Sequence, residues 1–178
     1  MDSINKNQPE DNYEDLTGEK GIAKMKTLAD KAGTCFFCTQ IGANERFSTR
    51  PMSFQKLDDD GTFWFLSAND SNKNREIEAD SSIQLLFQGS SYSDFLNVYG
   101  EASINQDKAV IKELWNPILK TWFTEGIDDP RISVIKVVPS EAYYWDTKHP
   151  QVVGLIKRMV GAAIGKTLDD SIEGTITV

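Results

Sequence analysis

The β-type segments of this chain follow one another directly instead of alternating with helices, and this order restricts the folds open to it. Apolar and aromatic runs between turn residues predict strands over residues 34–42, 46–57, 62–68, 83–89, 95–104, 131–138 and 141–146. A doubly wound nucleotide-binding fold needs strands and helices in alternation. The order instead favours a mainly β fold, an antiparallel barrel or sheet with peripheral helices packed outside it.

Helical spacing of apolar residues predicts the remaining elements: helices over residues 20–31 and 73–79, a helical stretch that starts near residue 106 and breaks at Pro117, and a closing helix over residues 150–165. Thr17 and Gly33 are placed to cap the first helix. Pro139 is expected to separate the last two strands. We predict one domain over residues 16–165, a disordered N-terminal tail over residues 1–15 and a C-terminal tail over residues 166–178.

Composition excludes several functions. The net charge is −8, which disfavours binding to nucleic acids and to anionic membranes, since both require a positive surface. The longest apolar runs fall short of the roughly 20 residues that span a bilayer. The first fifteen residues are polar and acidic and do not match a signal peptide, so the expected location is the cytoplasm.

Three motifs suggest chemistry that their context does not support. The segment GAAIGKT, residues 161–167, has three residues between its glycines where a phosphate loop needs four. His149 is the only histidine, so zinc sites and hydrolase triads are disfavoured, and no metal is expected. Cys35 and Cys38 have redox-pair spacing, but in a strand they point to opposite faces. The role of the two cysteines stays open.

Arg50 and Pro51 interrupt a predicted strand in the segment RFSTRPMSFQ, residues 46–55. Proline in a sheet is confined to edges, bulges or strand starts. If this strand pairs with residues 62–68 through the DDDG turn, Arg50 converges on the loop after the next strand, which carries Ser67, Ser71, Asn72 and Lys73. Guanidinium, ammonium and hydroxyl groups around one point would bind a phosphate. The alternative is an exposed arginine beside a solvated loop.

Three segments resemble the pyridoxamine 5′-phosphate oxidase-like split barrels, and within them the general stress protein 26 group. They are STRPM at residues 48–52, GTFWFLSANDSNKNREIEADSSIQLLF at 61–87, and the aromatic-rich stretch at 113–146. The resemblance covers about residues 16–165. It implies a six-stranded antiparallel split β-barrel that forms a homodimer, with FMN in a cleft between the two subunits.

Site roles follow from this resemblance. It implies that Arg50 holds the FMN phosphate, with Ser71, Asn72 and Lys73 beside it. Pro51 and Met52 would run along the isoalloxazine ring, and Leu66 and Ser67 would lie under the flavin and its ribityl chain. Trp145 would approach the ring. The other three tryptophans are expected to pack in the core or at the dimer interface: Trp64, Trp115 and Trp122.

Two positions depart from the vitamin-making oxidases. Asn72 replaces the arginine before the lysine, and Gln55 replaces a lysine five positions after the first arginine. The acidic C-terminus also lacks their basic substrate-binding motif. Pyridoxamine phosphate oxidation is therefore not expected.

The resemblance implies an FMN-dependent oxidoreductase linked to the stress response, with a nicotinamide as a possible electron donor. No catalytic side chain is assigned. The alternatives are a non-enzymatic flavin carrier or redox sensor, a site for FAD, a deazaflavin or haem, and an interaction module that has lost its ligand. Haem is disfavoured because no axial histidine is suitably placed.

Overall fold

The structure is a computed structural model that describes residues 3–7, 11–42, 46–148 and 170–178. These residues contain three α-helices and nine strands, in the chain order β1 (Leu16–Thr17), α1 (Gly18–Ala32), β2 (Cys35–Thr39), β3 (Ser48–Met52), β4 (Lys56–Leu57), β5 (Phe63–Ala68), α2 (Asn72–Ala79), β6 (Ser82–Gln88), β7 (Phe95–Asn105), α3 (Lys108–Leu114), β8 (Ile132–Thr147) and β9 (Ser171–Thr177). Short 3₁₀ helices occupy Ile4–Asn7, Pro117–Thr121 and Gly126–Asp128.

All nine strands belong to one mixed sheet. Its main order is β1-β9-β8-β7-β6-β2-β3, and β5 pairs with both β8 and β4 outside this path. The pair β1–β9 is parallel and every other pair among the described strands is antiparallel. The prediction of a mainly β fold with peripheral helices is confirmed. The sheet differs from the expected six-stranded antiparallel barrel in its nine strands and its one parallel pair.

Strand β8 is the long central element, and it corrects the prediction of two strands separated by Pro139. It runs unbroken over Ile132–Thr147, because its pairing with β7 shifts register between Tyr99 and Gly100, opposite the proline. Such a bulge accommodates a residue that cannot donate to the ladder. A Cβ at Gly100 would lie 2.5 Å from the carbonyl oxygen of Val138, so only glycine fits this approach.

The two ends of the chain meet in the structure. Residues 171–177 form β9 where the sequence predicts a tail, and β9 pairs with residues 142–147 of β8. Residues 11–15, predicted as disordered, lie against β9: the Glu14 N–H donates to the carbonyl of Glu173, and the Tyr144 hydroxyl donates to the Glu14 carbonyl at 2.8 Å. The predicted closing helix lies outside the described residues.

Two apolar clusters lie on opposite sides of the β5–β8 pair. The larger one joins α1 to the sheet through Met25, Leu28, Phe37, Phe63 and other buried residues. The smaller one packs α3 and the 3₁₀ helix Pro117–Thr121 against Leu66 and Ile132. The second cluster fixes the segment 117–123 next to the end of β5, where the site described below begins. Among the described residues, the helices are too short or too polar to cross a membrane.

Candidate functional site

Strand β3 ends the sheet and carries Arg50 and Pro51. Within the described part of the chain it pairs only with β2, in a register that sets Arg50 opposite Phe37 and Pro51 opposite Phe36. Pro51 is exposed. Pro51 therefore lies in an edge strand, which is one of the positions that a proline can occupy in a sheet.

A cleft of about 560 Å³ opens between β3, the end of β5 and the start of α2, and we call it the β3 cleft. It is lined by six of the nine residues predicted to bind the cofactor: Arg50, Pro51, Met52, Leu66, Ser67 and Lys73. The predicted hairpin exists only in part, since Lys56–Leu57 pairs with Phe63–Trp64 while β3 itself pairs with β2. The expected convergence of Arg50 with the loop after β5 nevertheless occurs. The volume lies in the range of small-molecule sites.

Lys73 places a cation at the polar end of this cleft. Its Nζ donates to Ser67 Oγ at 2.7 Å and to Ser71 Oγ at 3.3 Å. Among the described residues it forms no salt bridge with a carboxylate. Burial, together with the positive charge of Arg50, lowers the pKa of Lys73. A partly desolvated ammonium that lacks a carboxylate is suited to bind an anionic ligand.

Arg50 is held by a cyclic set of hydrogen bonds behind the cleft. Its Nη1 donates to Thr39 Oγ1 at 2.7 Å, its Nη2 donates to Glu76 Oε2 at 2.6 Å, and Thr39 Oγ1 donates to the same carboxylate oxygen at 2.5 Å. Burial opposes the ionisation of Glu76, but the hydrogen bonds from Thr39 and Arg50 outweigh it and hold the pKa of the carboxyl below its usual range. Two of the five guanidinium donors are thus occupied by the protein.

A buried polar network supports the floor of the site. Ser67 Oγ donates to Asn74 Oδ1 at 2.9 Å, Asn74 Nδ2 donates to Ser133 Oγ at 2.8 Å, and Ser133 Oγ donates to the Ser67 carbonyl at 3.1 Å. All three residues are buried. The network ties β5, α2 and β8 together, so the hydroxyl that meets Lys73 is fixed in place.

Helix α2 begins at this point. Ser71 is its N-cap, and the Ser71 side chain accepts from the N–H of Asn74. The helix spans Asn72–Ala79, close to the predicted 73–79. Its positive end therefore faces the same region as Lys73, which adds to the attraction for an anion.

Three predicted site residues lie outside the lining of the β3 cleft. Ser71 lies directly behind it, bonded to Lys73 and Ser67. Asn72 is exposed on the first turn of α2. Trp145 lines a different cleft, and within one chain the structure does not bring it to Lys73.

That second cleft, which we call the β6 cleft, also has a volume of about 560 Å³ and lies across the sheet face. Its lining includes Trp145, Phe36, Leu86 and Tyr99, and it shares Thr34 and Pro51 with the β3 cleft. Three of its apolar side chains are exposed: Phe36 at 56 %, Leu86 at 36 % and Tyr99 at 38 %. The two clefts therefore adjoin each other along β3.

One wall of the β3 cleft was not predicted from the sequence. Leu119, Trp122 and Phe123 line it from the segment after α3. Leu119 and Phe123 belong to the smaller core cluster, whereas Trp122, expected to pack in the core or at a dimer interface, is 62 % exposed. The only signal in the sequence is the density of aromatic residues near Pro117.

Both cysteines are buried and reduced. The Cys35 thiol donates to the Met52 carbonyl at 3.6 Å, and burial raises the pKa of Cys35 to about 12. The Cys38 thiol lies 3.4 Å from Thr49 Oγ1. A thiol that is this hard to ionise is a poor nucleophile. Cys35 instead contributes to the contact between β2 and β3, through its hydrogen bond to Met52.

The sequence matches one family along most of its length. The family described as pyridoxamine 5′-phosphate oxidase like covers residues 20–169. Over 88 residues the chain is 33 % identical to Protein bli-3 of Neurospora crassa, a match that covers 45 % of this chain and 42 % of that protein. The chain thus spans less than half the length of this curated relative.

Solved structures with the same fold include a general stress protein 26 of Jannaschia sp. CCS1, with a TM-score of 0.74 and 19 % identity. That likeness covers 88 % of this chain and 97 % of the other. A general stress FMN/FAD binding protein of Xanthomonas citri aligns with a TM-score of 0.54 and 24 % identity, over 67 % of this chain and 84 % of that one. At these identities the likeness establishes the fold.

Proposed function

The chain belongs to the pyridoxamine 5′-phosphate oxidase-like family, and we propose that it binds FMN in the β3 cleft. One observation carries the proposal. Lys73 is a partly buried ammonium that forms no salt bridge with a carboxylate among the described residues, and it lies in one cleft with Arg50 at the start of a helix. A phosphate group would supply the missing negative charge.

The donor set fits a phosphorylated flavin. Two of the three Lys73 donors are directed at serine hydroxyls, which leaves one for a phosphate oxygen. Arg50 keeps three N–H groups beyond those bonded to Thr39 and Glu76. Pro51, Met52 and Leu66 provide apolar walls for a ring system. The name of the Xanthomonas citri protein, an FMN/FAD binding protein, supports the same class of ligand.

We infer a redox role in which the bound flavin supplies hydride transfer. The described residues that line the β3 cleft include no carboxylate, histidine or tyrosine, and Lys73 and Arg50 are the ionisable side chains among them. The contribution of the protein is to hold the phosphate, orient the ring along β3 and shield it from water. A nicotinamide is the proposed donor. General stress protein relatives support a link to the stress response, and the cytoplasm stays the predicted location.

The same lining favours a second candidate, a flavin carrier or redox sensor that binds without turnover. A site that has no acid or base beside Lys73 could hold FMN as a store or signal. Steady-state reduction by NADH or NADPH separates the two: the oxidoreductase turns over, and the carrier does not.

The finer fold and the partner are also part of the proposal. Residues 53–55 join β3 to β4, so the chain itself links the two ends of the series β3-β2-β6-β7-β8-β5-β4. Counted with β3 and β4 as one strand interrupted at residues 53–55, the series has six strands, and we interpret it as the split barrel of the family. We propose that a second copy covers the β6 cleft, because its exposed apolar face adjoins the β3 cleft at Pro51. This dimer would place the flavin at the interface.

The test is the pair of substitutions Arg50→Ala and Lys73→Ala in one protein. The double variant is expected to lose FMN binding by at least about a hundredfold in Kd, since two charge-assisted contacts are removed. Riboflavin, which has no phosphate, serves as the reference ligand and should bind both proteins alike. An unchanged FMN affinity would refute the site.

A further inference from the structure

The cation closest to Glu76 is already paired within the protein. Both terminal nitrogens of Arg50 are engaged, Nη2 by Glu76 directly and Nη1 by Thr39, which in turn donates to Glu76. The side chains of Arg50 and Glu76 are 23 % and 17 % exposed, so solvent screens their ion pair only partly. Glu76 does not line the β3 cleft, but its charge acts on the guanidinium that does.

The net charge of the site is therefore smaller than the two positive charges of Arg50 and Lys73 would give. Arg50, Lys73 and Glu76 together carry one net positive charge. The terminal phosphate of FMN is a monoester with a second pKa near 6, so it carries close to two negative charges at neutral pH. Each phosphate of a diester or a diphosphate linkage carries only one. Net charge at the site thus matches a singly charged phosphate group better than a doubly charged one.

We propose that Glu76 is a specificity-determining residue, which reduces the preference of the site for a doubly charged phosphate by competing with the ligand for Arg50. This inference rests on the proposed flavin site. The carboxylate acts in two ways, and both weaken the binding of a phosphate. It repels the phosphate through space, and it accepts from Nη2 of Arg50, a donor that would otherwise be free for the ligand.

The substitution Glu76→Gln isolates the charge. Glutamine keeps an oxygen that can accept from Thr39 and Arg50 while it removes the negative charge. Glu78→Gln is the matched control, since Glu78 is an exposed carboxylate on the same helix and lies outside the β3 cleft. Both variants change the net charge of the protein by the same amount.

Dissociation constants for FMN, FAD and riboflavin are measured at pH 7.5 by quenching of flavin fluorescence. Glu76→Gln is expected to tighten FMN by about five- to tenfold, the size of one screened charge interaction near a protein surface. FAD should tighten less, and riboflavin should stay within about twofold. Glu78→Gln should leave all three within about twofold.

A second measurement needs only the wild-type protein and so does not depend on the folding of a variant. The methyl diester of FMN carries one negative charge, and it should bind nearly as tightly as FMN.

An FMN affinity that is unchanged or weaker in Glu76→Gln, or a diester that binds much more weakly than FMN, would overturn the proposal and make Glu76 a positioning residue for Arg50. If the wild-type protein binds none of these flavins, the proposed function itself fails. The two failures are therefore distinguishable.

Discussion

Replacing Lys73 by methionine separates ligand binding from folding. The charged side chain favours binding of the phosphate, but its partial burial disfavours folding. In the free protein its ammonium is partly desolvated, and it forms no salt bridge to a carboxylate among the described residues. Methionine has a similar length and is a good helix former. We expect the variant to lose FMN affinity while it keeps its stability.

The magnitude follows from the hydrogen bonds of Nζ. Ser67 and Ser71 take two of its three donors, so one remains for a phosphate oxygen. A hydrogen bond to a charged group contributes about 1.5–3 kcal/mol, which corresponds to a Kd for FMN about ten- to hundredfold higher in the variant. Riboflavin affinity should change by less than about threefold.

Stability is expected to behave differently. A lysine whose pKa is lowered in the folded state destabilises the fold while it is charged, and this effect disappears as the pH rises to its ordinary pKa of 10.5. The lost bonds to the two serines offset part of the gain. The free energy of unfolding at neutral pH should therefore stay within about 1 kcal/mol of the wild type or exceed it. The difference should shift against the variant at alkaline pH.

The assay is a fluorescence titration with FMN and with riboflavin, combined with urea unfolding of the free protein. Arg75→Met is the matched control, since Arg75 is exposed on the same helix, outside the β3 cleft, and its loss changes the net charge equally. If Lys73→Met binds FMN like the wild type, or if Arg75→Met weakens FMN binding as much, Lys73 does not hold the phosphate.

Three further predictions concern other parts of the molecule. Trp122→Ala should weaken FMN about two- to tenfold, the range of one aromatic contact, and should reduce the tryptophan quenching caused by FMN; unchanged quenching would remove Trp122 from the site. Leu86→Asp should convert a dimer into a 20.0 kDa monomer by light scattering, since it places a charge on the face of the β6 cleft; a dimer that persists would contradict this interface. Cys35 and Cys38 should react with a thiol reagent at pH 8 only after unfolding, and rapid labelling of the folded protein would show that they are accessible.

Much of the fold could be predicted from local patterns. Helix α1 has apolar residues at helical spacing and ends at Gly33, whose φ of 66° is one that glycine adopts readily. The continuity of β8 could not be predicted, because it depends on a bulge at Ser140 in β8 itself, next to Pro139, where the register with β7 shifts. Strand β9 contains the β-branched run Thr175–Thr177, but its acidic and polar start favours a tail until β8 provides a partner.

The candidate site, like the fold, could be predicted only in part. The residues that line the β3 cleft from β3, β5 and α2 come from compact segments that a family resemblance can recognise. The partners of Arg50 could not be predicted from the sequence. Thr39 and Glu76 contact Arg50 because of the register of β2 with β3 and the position of α2, which no local pattern gives. Trp145 was predicted from the family resemblance to approach the flavin ring, but within one chain it lines the β6 cleft and not the β3 cleft.

The most direct test of flavin binding is an absorbance spectrum of the purified protein, recorded after incubation with excess FMN and removal of free ligand by desalting. We predict that the protein retains flavin absorption at a stoichiometry near one FMN per chain. A protein that is colourless after desalting, with the absorbance of aromatic residues alone, would contradict the proposed function.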